Sequence, residues 1–355
     1  MNKLILNKIL IIGILILTFT KCNTVNESLP SSTAGGDWLI PADQVFDGGP
    51  GQDGIPALTN PEFGDAGSAG YLGDADLVIG VKVANDIKAF PHPILDWHEI
   101  INDDVNGIKM AITYCPLTGS GIAWSRIVNQ TETTFGVSGL LYNTNLIPYD
   151  RLTSSRWSQM KLQSVNGELK GTFIKTYKIV ETTWKTWRSM YPATKVVTTN
   201  TGYSRSYGVY PYGDYKTNNS SLLFPVNNKD TRLPQKERVL GVLVNGAAKA
   251  YKIGSFGKLD IISDNVGGEN IVVAGSSTDN FIVAYNRSVS GTTLEFTPLT
   301  GQLPLIMKDN LGNKYDIFGV AIEGPNVGAE LRQTTSYIAY WFAWAAFYPK
   351  TDLLK

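Results

Sequence analysis

Apolar residues occur along the chain in short runs separated by Gly, Asn, Asp and Pro, a pattern typical of strands joined by tight turns. The runs at 78–83 and 88–90 flank three turn-forming residues and predict a β-hairpin. Apolar positions within 94–101 have the spacing of a short helix packed on a sheet, and 102–107 is predicted to be a turn. Further strands are predicted at 108–114, 121–126 and 133–137. The pattern therefore favours an α+β, β-rich fold.

The same pattern occurs twice in the chain. Residues 78–135 align without a gap onto 239–296, so that Arg126 falls on Arg287. Near the end of each half a helix is predicted, at 182–191 and 336–348, and each is followed or ended by a proline. Self-similarity of this length predicts two tandem, pseudo-symmetric copies of one β-sheet unit, each closed by a C-terminal helix and packed as one two-lobed body.

The amino terminus combines a positively charged start with a short apolar stretch that ends at Cys22. This pattern predicts a lipoprotein-type signal peptide at 1–22, with Cys22 as the lipid acceptor that tethers the protein to a membrane. The residues before Cys22 depart from the usual acceptor sequence, which leaves a cleaved soluble protein and an uncleaved anchor as alternatives. In the lipoprotein interpretation the protein is exported and faces the periplasm or the cell surface.

The remaining boundaries follow from composition and from the repeat. Residues 23–60 are rich in Ser, Gly, Pro and Asp and are predicted to form a tether and an N-terminal arm. The first unit, which carries the candidate site, is placed at 61–200, and the second, structural unit at 236–355. Between them, 201–235 contains several tyrosines, and a connection of this length and composition is expected to be ordered or functional.

Charge and cysteine content narrow the range of functions. Lys plus Arg and Asp plus Glu number 31 each, and no basic run is present, so nucleic acid is not an expected partner. The chain has two cysteines. If Cys22 carries lipid, Cys115 has no disulfide partner and is a single thiol.

The two copies differ at positions that suggest a site in the first copy alone. His98 aligns with Leu259 and Cys115 with Ser276, whereas the glycines and apolar strand positions recur. A thiol becomes a nucleophile or metal ligand when it is deprotonated, and a neighbouring imidazole lowers its pKa. We therefore predict a Cys115–His98 centre for thiol-based chemistry, with Cys115 as nucleophile and His98 as base, or for metal ligation. The alternative is that Cys115 is a small buried hydrophobe and His98 a structural histidine.

A metal-binding version of this centre holds a single transition-metal ion between His98 and Cys115. With His92 as a further ligand and Met110 or Met160 as a weak axial ligand, the ligand set is that of a copper site.

A second group of polar residues follows the strand at 133–137 and is predicted to bind substrate beside the centre. Its members are Asp150, Arg151, Thr153, Trp157 and Gln159. The alternative for this group is a hydrogen-bonded corner around Trp157.

Several of these stretches together resemble an uncharacterised, mostly bacterial family known as domain of unknown function 3179. The matching stretches are 53–58, 97–103, 113–117, 135–142, 149–151 and 157–159. The resemblance covers roughly residues 45–325 and implies no activity. Family members usually have a second cysteine three residues after the first, where this chain has Thr118. The resemblance therefore does not imply a dithiol switch or a two-thiolate metal clamp in this chain.

Two functions remain open at this point. The first is an extracytoplasmic lipoprotein with one Cys115–His98 centre that binds a small molecule or a metal. The second is a non-catalytic binding or scaffold protein of the cell envelope in which Cys115 is buried and inert.

Overall fold

The computed structural model describes residues 37–289 and 291–354, so Cys22 and the predicted signal peptide lie outside the described residues. The predicted β-rich fold is confirmed: the described residues form many short strands and three short α-helices. No helix among them is long and apolar enough to cross a membrane.

Three sheets lie in the first half of the chain, and the strands of each are named in their order across the sheet. Sheet 1 contains Val180–Thr183, Leu77–Val83, Asp86–Pro91, Lys195–Val197 and Phe63–Asp65. Sheet 2 contains Thr176–Tyr177, Ser120–Ser125, Ile108–Cys115, Ile100–Val105 and Leu58–Thr59. Sheet 3 contains Val45–Asp47, Phe135–Tyr142, Asn145–Asp150, Arg156–Ser158 and Gln163–Asn166. A separate pair joins Ile127–Val128 to Thr131–Glu132.

Three further sheets lie in the second half. Sheet 4 contains Thr335–Tyr340, Arg238–Val244, Ala247–Lys252 and Asp352–Leu353. Sheet 5 contains Asp260–Val266, Glu269–Ser276 and Phe281–Asn286, and sheet 6 contains Phe296–Pro298, Leu305–Asp309, Lys314–Asp316 and Ala321–Glu323. A separate pair joins Ser288–Val289 to Thr292–Thr293. The four strands of sheet 4 pair in the order antiparallel, antiparallel, parallel. The first four strands of sheet 1 pair in the same order.

The predicted hairpin at 78–90 is confirmed, with a two-residue turn in which Ala84 adopts a φ of 50°. The predicted helix at 94–101 is instead α1, His92–His98. The prediction of a turn at 102–107 is wrong, because the turn needs only Asn106 and Gly107, whose φ angles of 47° and 83° suit a tight hairpin. The residues before this turn therefore form the strand Ile100–Val105, which pairs with the next strand in register.

The two predicted closing helices are present but shorter than their patterns suggest. They are α2, Trp184–Met190, and α3, Trp341–Phe347. The residues before them form edge strands of sheets 1 and 4 instead of helix, and a short parallel strand follows each helix. Trp187 of α2 lies directly over Gly80, and Trp344 of α3 over Gly241; a Cβ on these glycines would come within 2.1 and 2.0 Å of the indole rings.

The hydrophobic core crosses from one half of the chain to the other. Trp187 belongs to a buried cluster in which most residues come from the second half of the chain, and its ring meets Phe318 edge-on at 6.2 Å. Trp341 of α3 belongs to a cluster that also contains Trp124 and Trp157 of the first half. Each closing helix therefore buries its tryptophans against residues of the other half.

The connection at 201–235 has neither helix nor strand and contacts both halves; on the second half, for example, the Trp341 indole donates to the carbonyl of Asp230 at 3.1 Å. The Trp97 indole donates to the carbonyl of Val209 at 3.1 Å, and Lys216 binds the carboxylate of Asp96 at 2.8 Å. The arm also joins the first half, since Val45–Asp47 and Leu58–Thr59 are edge strands of sheets 3 and 2. The arm and the connection thus both contact the part of the fold that carries Cys115.

Candidate functional site

Cys115 is the last residue of its strand in sheet 2 and is fully buried. Its thiol donates to the carbonyl of Thr144 at 3.7 Å. The turn that follows packs on the second half of the chain: Tyr340 donates its N–H to the carbonyl of Thr118 at 2.7 Å, and its ring covers Gly119. The Cys115 turn is therefore a buried joint between the halves rather than an exposed sheet end.

The surroundings of Cys115 keep its thiol protonated. Burial raises the pKa of Cys115 to about 11, and the nearby acid Glu99 acts in the same direction, while weaker hydrogen bonds from Thr118 and Leu146 oppose them. Because the thiolate is the reactive form, Cys115 is a poor nucleophile at neutral pH in this conformation.

His98 lies at the end of α1, and both of its ring nitrogens have partners other than Cys115. Nδ1 donates to the carbonyl of Pro56 at 2.7 Å, and Nε2 accepts from the hydroxyl of Tyr207 at 2.7 Å. Burial lowers the pKa of His98, which favours the neutral ring that this hydrogen-bond pattern requires. The geometry thus ties His98 to the arm and the connection.

Glu99, the next residue, is the acid whose charge acts on the Cys115 thiol. Its backbone carbonyl accepts from the N–H of Tyr114, so Glu99 lies across the strand pair from the residue before Cys115. The Glu99 residue is 5 % exposed, and its carboxyl forms no hydrogen bond or ion pair with the described residues. Burial raises the pKa of Glu99 to about 8.

The sequence pattern does not point to Glu99. It aligns with Asp260 in the second half, so a comparison of the two copies shows an acid in both. The two acids have different environments, since Asp260 is exposed and accepts from the N–H of Gly257. The one unusual local feature of Glu99 is its φ of 56°, which a sequence does not reveal.

A cavity of about 60 Å³, which we name the Glu99 cavity, lies beside this carboxyl. Glu99 is the one residue with an ionisable carboxyl or amine in its lining, and Tyr212 supplies a hydroxyl. The other lining residues are apolar or glycine: Gly48, Pro50, Ile55, Leu117, Val137, Gly139, Leu140, Leu141, Leu146, Ile147 and Phe224. Cys115 lies behind this wall, near the backbone N–H of Leu146.

Residues 52–351 match the family model described as protein of unknown function DUF3179, which covers most of the chain, including Cys115 and nearly all of the second half. The chain belongs to the DUF3179 family. No curated protein and no solved structure matches it. The resemblance seen in the sequence motifs is thereby confirmed.

In this DUF3179 protein, Thr118 takes part in a buried hydrogen-bond network. The Thr118 hydroxyl is 2.9 Å from that of Ser120 and accepts from the Asn145 amide at 2.9 Å. The amide oxygen of Gln159 accepts from Ser120 and from Asn145, each at 2.7 Å, and its nitrogen donates to the Thr113 hydroxyl at 3.0 Å. Gln159 is therefore saturated by partners within the chain.

The other predicted substrate-binding residues of the DUF3179 protein form a compact corner. The buried carboxylate of Asp150 accepts from the N–H and hydroxyl of Thr153, at 2.7 and 2.9 Å, and from the Trp157 indole at 2.9 Å. Arg151 donates to Asp53 at 2.9 Å and to the carbonyl of Phe135 at 3.1 Å. None of Asp150, Arg151, Thr153, Trp157 and Gln159 lines the Glu99 cavity. Their contacts agree with the hydrogen-bonded corner around Trp157.

The residues of the copper-type hypothesis are not gathered in one place. Among residues 37–289 and 291–354, no three His, Cys, Asp or Glu side chains are arranged to hold a metal ion. His92 lies 3.5 Å from the Glu181 carboxylate and stacks on Tyr114 at 4.2 Å between ring centroids, while His98 contacts Tyr207.

Proposed function

We propose that this DUF3179 protein is a non-catalytic binding protein that takes a small ligand in the Glu99 cavity. The observation that carries the proposal is the Glu99 carboxyl: it belongs to a residue only 5 % exposed, lines an apolar cavity, and forms no hydrogen bond or ion pair with the described residues. Buried polar groups in folded proteins are nearly always hydrogen-bonded. A partner from outside the chain meets that requirement, and apolar walls with one or two polar groups are typical of ligand sites.

The connection at 201–235 supports this proposal because it forms part of the site. Tyr212 and Phe224 come from the connection and line the cavity. Two hydrogen bonds hold the connection beside the cavity. The Tyr210 hydroxyl donates to the carbonyl of Pro116 at 3.1 Å, and the Thr144 hydroxyl donates to the carbonyl of Phe224 at 2.9 Å. A ligand bound in the cavity contacts both sheet residues and the connection.

The catalytic version of the site fits the geometry less well. A nucleophilic Cys115 needs a base and access to substrate. Cys115 is fully buried, and both nitrogens of His98 are engaged by Pro56 and Tyr207. We therefore assign Cys115 to the support of the cavity wall, as a neutral thiol.

A ligand-observed NMR screen of small organic molecules tests the proposed function. We expect binders of the wild-type protein that Val137→Phe abolishes, because the larger ring fills the cavity. Leu152→Phe, at an exposed position away from the cavity, is the matched control and keeps the binders. The proposal fails if the screen yields no binder, or if the binders persist in folded Val137→Phe.

We also propose that the protein is an exported lipoprotein that is held in the membrane through Cys22 and faces the periplasm or cell surface. The support is the charged and apolar pattern that ends at Cys22. Metabolic labelling with a fatty acid and membrane fractionation test it. Cys22→Ala is expected to lose the label and leave the membrane fraction; a labelled or membrane-bound Cys22→Ala protein contradicts the assignment.

We propose further that the two halves are tandem, pseudo-symmetric copies packed as one body, and that the first copy alone has a ligand site. The matching contacts of Trp187 with Gly80 and of Trp344 with Gly241 support the repeat. In the second copy, Ser276 stands in place of Cys115 and donates to Asp279 at 3.1 Å. With Asp260 exposed, that copy lacks a counterpart of the buried acid.

A further inference from the structure

We propose that the ligand of the Glu99 cavity is a short-chain primary amine, bound as its ammonium ion with Glu99 as the counter-charge. This inference rests on the proposed function, because it names the chemical class of the ligand at the same site. Four features of the cavity support it: its charge, its aromatic rings, its apolar walls and its size.

The charge of the cavity favours a cation. Glu99 is the only acid or base with a formal charge in the lining, and no Lys, Arg or His of the described chain forms an ion pair with it. An ammonium group supplies both the missing charge and up to three N–H donors, and charge-assisted hydrogen bonds are stronger than neutral ones. The ionised carboxylate would repel an anion, and an alcohol offers it one donor and no charge.

Aromatic groups of the connection favour the same class of ligand. Tyr212 and Phe224 line the cavity beside Glu99, and ring faces attract cations, alkylammonium ions in particular. The Tyr212 hydroxyl forms no hydrogen bond with the described residues, so it is free to accept one from the ligand. Tyr212 also interacts electrostatically with Glu99, so a ligand at the carboxyl lies near the hydroxyl of this tyrosine.

The apolar lining suits a short alkyl chain. Most of the other lining residues have aliphatic side chains, among them Leu117, Val137, Leu141, Leu146 and Ile147. The volume of about 60 Å³ is several times the minimum of about 10–15 Å³ that one water molecule needs. The space therefore admits a chain of a few carbons, such as that of propylamine, and excludes large headgroups.

Proton linkage provides a signature that distinguishes an ammonium ligand from a neutral one. Burial raises the pKa of Glu99 to about 8, so below that pH the free protein holds a proton on Glu99. An ammonium ion, whose pKa is about 10, binds the ionised carboxylate and must displace this proton. The titratable groups that interact with Glu99 are Cys115 and Tyr212, and burial raises the pKa of both, so they stay neutral in this range.

The experiment is isothermal titration of the full-length protein with propylamine in buffers of different ionisation enthalpy. We expect release of about one proton at pH 6.5, falling toward zero above pH 9, and an apparent affinity that rises about tenfold per pH unit between pH 6 and 8. Glu99→Gln should weaken propylamine binding by about tenfold or more. Glu168→Gln, which alters an exposed acid, should leave it unchanged. 1-Propanol, of nearly equal size, should bind more weakly and release no proton.

The outcomes separate this inference from the proposed function. If propylamine does not bind, or if it binds no better than 1-propanol and without proton release, the ammonium inference is overturned. Binding of propylamine to folded Glu99→Gln with wild-type affinity overturns it as well. In each of these cases neutral binders from the NMR screen that Val137→Phe abolishes leave the ligand-binding function standing, whereas a screen without binders removes both.

Discussion

Two consecutive residues, His98 and Glu99, have opposite environments in this fold. The polar atoms of His98 are satisfied by Pro56 and Tyr207, and the carboxyl of Glu99 is buried without a partner in the described chain. The cause is local: α1 ends at His98, and the left-handed φ of Glu99 turns the chain into the next strand. Of these two neighbouring side chains, Glu99 is therefore the one whose charge acts on Cys115.

Glu99→Gln tests the buried acid through the pH dependence of stability. Because burial raises the pKa of Glu99 from 4.5 to about 8, the native state binds more protons than the unfolded state between these values. The contribution of Glu99 to the free energy of unfolding should therefore be most favourable below pH 4.5. Between pH 4.5 and pH 8 it should fall by about 1.4 kcal/mol per pH unit. Glu99→Gln should lack this slope and be the more stable protein at pH 8, as measured by urea unfolding. Equal slopes in the two proteins would count against a buried, unpaired acid.

Alkylation measures the state of Cys115. With a pKa of about 11, roughly one thiol in ten thousand is ionised at pH 7, and the fully buried sulfur is also inaccessible. We expect iodoacetamide to modify the peptide that contains Cys115 in urea but not in native buffer over the same time, as read by mass spectrometry. Rapid native modification would indicate an activated thiol and revive the catalytic hypothesis.

At the level of secondary-structure elements, α2 and α3 each pack on the sheet of their own half through the same pair of contacts. Each helix places a tryptophan on a strand glycine, and each indole donates to a threonine seven residues later, at 3.0 and 2.9 Å. The glycines are required at Gly80 and Gly241 because the rings occupy the space of a side chain. A helix of two turns is thereby held at a defined position on its sheet.

Gly80→Ala and Gly241→Ala should each destabilise the protein, because the added methyl group overlaps the indole ring. We expect a loss of about 1–3 kcal/mol for each, the usual range for overpacking. Gly67→Ala is the matched control, since a Cβ there meets nothing within 4 Å, and its effect should stay within about 0.5 kcal/mol. Urea unfolding gives all three values. A neutral Gly80→Ala would mean that Trp187 does not lie on the strand.

For the whole molecule, a buried ion group joins the two halves. Glu181 of sheet 1 accepts from Arg238 of sheet 4 and lies 3.5 Å from His92. Burial by itself raises the pKa of Glu181, but Arg238 and then His92 lower it to about 2. Together with the clusters shared by α2 and α3, this group places buried contacts between the halves, so we expect the halves to unfold as one unit.

Arg238→Leu should cost about 3–5 kcal/mol at pH 7, because it leaves the Glu181 carboxylate buried with its main counter-charge removed. The lowered pKa of Glu181 stabilises the wild-type fold above pH 4.5, and this contribution disappears as pH falls toward 2. The deficit of Arg238→Leu should therefore shrink in acid. Arg188→Leu, which removes an exposed pair with Asp74, should cost at most about 1 kcal/mol in the same unfolding experiment. Equal losses for the two variants would argue against a buried joint between the halves.

Much of the fold follows from local patterns in the amino-acid sequence. Alternating apolar residues and Gly- or Asn-containing turns specify local structure, so the hairpin at 78–90 and the strands on either side of the Cys115 turn follow from their own residues. The alignment of the two halves also pairs Gly80 with Gly241, the two glycines that lie under tryptophans. Family membership likewise follows from motifs that are contiguous in the chain.

The helix boundaries and the composition of the site depend instead on contacts between distant segments. Residues 336–340 belong to the predicted helix at 336–348, yet they form part of the edge strand Thr335–Tyr340 because Arg238–Val244, distant in sequence, offers backbone partners. The Glu99 cavity likewise combines the residue after α1, sheet 3 and the connection, which no local pattern relates. The sequence comparison of the two copies singles out His98 and gives no reason to choose Glu99. In the structure, the positive φ of Glu99 turns the chain after His98, and Pro56 and Tyr207 satisfy the ring nitrogens of His98 but not the carboxyl of Glu99. The two residues differ in this way because burial and hydrogen bonding depend on neighbours that only folding brings together.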